Sequence, residues 1–90
     1  MNTAFMLLAQ YSGQPVIPVE KVVPDFFGHL SVDIFIRKVS AGEIDIPMIR
    51  IEGKSQKSAK GIHLNDLADY IDKRRAAAVK EASQLAGRSA

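Results

Sequence analysis

The spacing of apolar positions changes along the chain and divides it into segments of different character. Residues 3–11, TAFMLLAQY, are nearly continuously apolar and rich in helix-favouring Ala, Met, Leu and Gln, with Asn2 or Thr3 as an N-cap and Gly13 as a stop. The run predicts a short helix, with a buried strand as competitor because it carries no clear period. Its simplest role is to complete the core; a docking or dimer element is the functional alternative. After the turn residues Ser12 to Gln14, Pro18 suits a first helical position, and Val19, Val22, Val23, Phe26 and Phe27 recur at helical spacing. Pro24 removes a backbone donor and biases Val23 away from the helical region, so a kink or a break into two short pieces is expected there.

Gly28, His29 and Leu30 read as a turn, and Ser31 as the N-cap of a helix over 31–41 with Asp33 in its first turn and Gly42 just past its end. At 100° per residue, Val32, Phe35, Ile36 and Val39 share the face to be buried, which leaves Ile34, Arg37, Lys38 and Ala41 on the other. The stretch IPMIRI that follows is β-rich, with Pro47 suited to an edge or a strand start. Ile49 and Ile51 then lie on one strand face, Met48 and Arg50 on the other. The segment 53–61, GKSQKSAKG, carries Lys54, Lys57 and Lys60 and no acid, and a period of three would scatter these lysines over both faces of a strand. It is therefore expected as a presented loop, with Ile62 to Leu64 returning as the second arm of a hairpin. Asn65 and Asp66 open a last helix on which Leu64, Leu67, Ala68, Ile71, Ala78, Ala82 and Leu85 form an apolar stripe, deep at first and mostly alanine beyond Asp72. That thin end either projects into solvent or pairs with a second copy. Arg75 interrupts the seam, which argues against a strong coiled coil.

Composition narrows the classes. Ninety residues with 47% hydrophobic content suit one packed domain, expected over 1–86 with a frayed tail at 87–90. The chain has no cysteine, so disulfides and thiolate zinc sites are excluded, and His29 and His63 are too far apart to make a metal site by themselves. AFMLLA is too short for a membrane span and lacks the basic flank of a signal peptide, so a cytoplasmic location is expected. The net charge of +2 is unevenly spread: residues 1–36 are net −2, residues 37–61 net +3, and the rest net +1.

This middle third holds the candidate chemistry. A lysine hairpin beside two short helices predicts an α+β fold, a small winged helix-turn-helix of excisionase/MerR-like type with a two-stranded wing and a C-terminal helix. On such a fold, Arg37 reads guanine or a phosphate, Lys38 a phosphate, and Ile34 a thymine methyl, while Lys54, Lys57 and Lys60 bind phosphates and Ser55 and Gln56 reach sugars or base edges. The bland reading of each is a solvated charged face, a scattered surface aliphatic and a polar hairpin tip. No paired-carboxylate, Ser-His or metal-ligand spacing supports a chemical step, so no enzyme, cofactor or metal is expected. Nor does the sequence suggest a ligand pocket, which points to control through abundance.

The strings NTAFMLLAQY, SQKSAKG and IHLNDLADYIDKRR, in this order, resemble the pyocin activator protein (PrtN) family over residues 1–80. Pro24 and Ile34 depart from the polar residues expected in that pattern. The resemblance implies a small bacterial transcription activator that binds upstream of pyocin (bacteriocin) genes in the DNA-damage response. Promoter DNA, RNA polymerase and a second copy engaged through the C-terminal helix are the partners expected, with the protein nucleoid-associated. An excisionase-like architectural DNA binder and a protein-interaction adaptor are the rival readings.

Overall fold

The computed structural model describes residues 2–54 and 57–89. Asn2 opens it by accepting a hydrogen bond from the Phe5 amide at 2.7 Å, which caps helix α1, Thr3–Gln10. The apolar run is thus helical, with Leu7 and Tyr11 turned inward and Phe5, Met6 and Leu8 left outward. Tyr11 is buried, and its hydroxyl donates to Asp25 Oδ2 at 2.6 Å. Burial, followed by the hydrogen bond and the negative charge of Asp25, raises this phenol well above its ordinary value. Because the folded pKa lies above the unfolded one, the contribution is fully present below pH ~10 and is lost as pH rises further. Tyr11→Phe should therefore cost about 1 kcal/mol at neutral pH and flatten the loss of stability above pH ~10, as followed by urea unfolding across that range.

The next segment departs from expectation at its start. Val16–Pro18 forms strand β1, and helix α2 runs from Val19 to Phe26 with Pro18 as its N-cap rather than its first helical residue. Pro24 does not divide α2 into two pieces. It forfeits one bond to the carbonyl four residues back, and the helix ends two residues later. Val19, Val22 and Val23 are buried as their spacing requires, and Phe27 just beyond the helix joins them, whereas Phe26 turns outward.

Helix α3, Val32–Ser40, begins with the Ser31 hydroxyl accepting from the Ile34 amide at 3.2 Å. It ends where Gly42, at φ 77°, takes the left-handed conformation and the Glu43 amide closes back on the Lys38 carbonyl at 2.9 Å. Phe35 is fully buried, and Val32, Ile36 and Val39 pack around it. The link from α3 to the hairpin is irregular and anchored by buried Ile46.

The hairpin consists of β2, Ile49–Arg50, and β3, Lys60–His63, and the expected two-stranded wing is part of a three-stranded antiparallel sheet in the order β1-β3-β2. Gly61 sits at the middle of this sheet, opposite Pro18 on one side and Ile49 on the other. Helix α4, Leu64–Ser89, follows without a loop. The His63 imidazole Nδ1 accepts from the Asn65 amide at 3.0 Å, so this histidine satisfies an orphan donor at the helix start. The first turns of α4 bury Leu64, Leu67 and Ala68 and carry α1 on a neighbouring face, tied by Thr3 Oγ1 to Asp72 Oδ1 at 2.6 Å. Beyond Asp72 the helix stands clear of the core and stretches the molecule to 54 × 30 × 19 Å. It is helical to Ser89.

Candidate nucleic-acid interface

Phe27 is the hub that fixes the two short helices. Its ring lies 4.8 Å from that of Phe35 on α3 and 5.7 Å from that of Tyr70 on α4, so the turn 27–31 is held by aromatic contacts to both. With Phe35 locked inward, the periodicity of α3 directs Ile34 and Arg37 to solvent; Ile34 is 40% exposed and Arg37 is exposed. Lys38 is half-buried, and its ammonium lies 3.7 Å from Glu43 Oε1 just past the helix end. A pair of this kind at the surface is worth at most about 1 kcal/mol, so Lys38 can exchange Glu43 for a phosphate at small cost.

The second group sits on the hairpin. Lys54 and Lys57 are exposed, while Ser55 and Gln56 lie outside the described residues. Lys60 is not in the loop as expected but opens β3, half-buried, with its ammonium donating to the Ser58 carbonyl at 3.3 Å. Gly61 likewise moves from loop to strand. Ser58 fastens the tip: its hydroxyl accepts from the Glu52 amide at 2.8 Å and donates to the Ala59 carbonyl at 3.0 Å. The ladder of β2 ends at Arg50, one further bond joins the Ile51 amide to the Ala59 carbonyl at 3.0 Å, and the Ile51 side chain stands 66% exposed at the tip while Ile49 is half-buried.

One cation escaped the sequence reading. Arg50 and Lys60 are directly opposed in the β2–β3 register and so share a sheet face. Two cations on one face make a small patch of positive charge that an anion can approach. The sequence put Arg50 on a strand face but not its partner, because the register depends on where the nine-residue tip closes.

Helix α2 is common to both groups, since it packs against α3 and against β1 and β3 of the sheet. The described residues hold no cluster of His, Asp or Glu that could bind a metal ion, and no helix long and apolar enough to cross a membrane. Against α4, lined by Phe27, Tyr70 and Ile71 among others, lies an open apolar groove of about 320 Å³, a feature the sequence did not suggest.

No curated protein and no solved structure matches the chain. A family model does: that of the pyocin activator protein PrtN, over residues 3–78. The match takes in all three strands, α1 to α3 and the packed part of α4, and the chain belongs to the pyocin activator protein PrtN family.

Proposed function

We propose that residues 1–86 form a winged helix-turn-helix that binds duplex promoter DNA and switches on pyocin genes, with no catalytic step of its own. The observation that carries this reading is the orientation of α3. Its aromatic face is clamped to Phe27, its opposite face offers Ile34 and Arg37, and a hairpin bearing lysines follows it in the chain. In this reading α3 enters the major groove. Arg37 contacts a guanine, Ile34 a thymine methyl and Lys38 a phosphate, and Lys54, Lys57 and Lys60 hold the backbone or the edge of the minor groove. Ser55 and Gln56 keep their role at the tip as part of the same proposal, and Arg50 joins Lys60. Activation requires a further surface for RNA polymerase, which the exposed side of α4 supplies, and action on the nucleoid follows.

A gel shift on pyocin promoter DNA over a salt series tests the reading. Five phosphate-neutralising side chains should give a log-log slope of about −4 to −5. Lys57→Glu or Arg50→Glu should weaken binding to specific and unrelated DNA alike, by roughly 1 kcal/mol or more. A flat salt response would favour the adaptor. Tight, salt-dependent binding without transcription from a reporter would favour the architectural alternative.

A further inference from the structure

We propose that the exposed end of α4 pairs antiparallel with the same helix of a second copy, centred on Ala78. The helix outlasts the core: Asp72 to Gly87 are all exposed, including Val79 at 50% and Leu85 at 53%. A bare helical end of this length is marginal in water, and helices in proteins draw most of their stability from a packed apolar face.

The sequence of this end supplies such a face and a matching charge pattern. Ile71, Ala78 and Leu85 are seven residues apart and so lie along one line of the helix, two turns between each. Arg74 and Glu81 are also seven apart and border that line. With two copies running antiparallel about Ala78, Ile71 of each faces Leu85 of the other, and the alanines meet at the two-fold axis, where a small side chain lets the helices approach. Arg74 of each then lies beside Glu81 of the other, because both border the line on the same flank.

The remaining charges select this register. Residues 73–89 are net +4, and Glu81 is their one acid. Parallel copies would set Arg74 and Arg75 against their own counterparts, which repel. The antiparallel register brings Arg74 to the single glutamate on the same flank of the line, twice per dimer, as an isologous interface requires. Lys73 is already engaged within its own chain, 3.7 Å from Asp45 Oδ2.

The groove beside α4 completes the match. It is lined by Phe26, Phe27, Ile71 and Arg74 among others, at the point where this line reaches the body of the domain. Leu85 of the second copy arrives at Ile71 and covers this groove while Glu81, one turn earlier, meets Arg74. The dimer would hold two domains about a two-fold axis, so, on the DNA-binding reading above, its site would be an inverted repeat of half-sites.

Sedimentation equilibrium of the full chain without DNA tests the pairing. The expected molar mass rises towards twice 9.8 kDa as concentration increases through the micromolar range usual for a small interface. Glu81→Arg and Arg74→Glu should each return the mass to 9.8 kDa with unchanged helical circular dichroism, and the double variant Arg74→Glu/Glu81→Arg should restore the dimer. The chain has no native cysteine, so oxidised Ala78→Cys should give a cross-linked dimer while Ser83→Cys, on another face, should not. A wild-type monomer at every concentration, a double variant that stays monomeric, or equal cross-linking at 78 and 83 overturns the proposal. A monomer that still shifts promoter DNA would overturn this pairing alone; a dimer that ignores DNA would overturn the proposed function and leave the pairing intact.

Discussion

Gly61→Ala is expected to destabilise the domain by about 1–3 kcal/mol, which for a chain of this size lowers Tm by roughly 5–20 °C. A Cβ built on Gly61 would meet Val16 Cγ1 at 2.6 Å and the Ile17 carbonyl oxygen at 2.9 Å. The valine methyl can turn aside, but the carbonyl belongs to the backbone of β1, so the whole strand would have to withdraw from β3. That strand holds together much of the fold. It pairs through Val16, Ile17 and Pro18, and the Pro15 carbonyl accepts from the Leu64 amide at 2.8 Å at the entry to α4. Gly53→Ala is the matched control, because a Cβ there meets nothing within 4 Å. Thermal unfolding of the two variants side by side checks the claim. Equal stability would mean that β1 is not seated against β3 as described.

Arg37→Ala should cost about 1–3 kcal/mol in binding to a cognate site and relax discrimination at one base pair, while unrelated DNA is bound almost as before. The side chain is exposed on α3, on the side of the helix away from buried Phe35, so removing it should leave folding stability within about 0.5 kcal/mol. This separation makes the substitution informative, since a loss of binding could not be assigned to unfolding. Selection of bound sequences from a randomised pool, for the wild type and the variant, reads the expected change directly. An unchanged base preference would remove α3 from the role of reader, even if the hairpin lysines still gave affinity.

Much of this architecture was legible in the order of the residues. Ser31, Phe35 and Gly42 define α3 because a cap, an apolar period and a left-handed stop act within a few residues of one another. The hairpin was legible in the same way, from β-rich residues on either side of a lysine loop that cannot bury itself. The family too was readable in the sequence, since its motifs are strings of residues.

What the chain did not disclose belongs to long-range pairing. Val16–Pro18 merges by eye with the valine period of α2, and only the partner strand, more than forty residues away, makes it a strand. The same pairing turns Gly61 from a flexible loop residue into one with no room for a side chain, and the neighbouring β2–β3 pairing sets Lys60 opposite Arg50. Phe26 and Phe27 look alike in the sequence, but only Phe27 reaches Phe35 and Tyr70, because two other helices fix where the core lies. Local sequence thus determined the bounds of α3, the hairpin and where the cations stand along the chain, while residues 3–11 stayed open between helix and strand. Tertiary structure decided which residues meet across strands and helices, because those contacts join segments whose separation leaves no trace in any short window of residues.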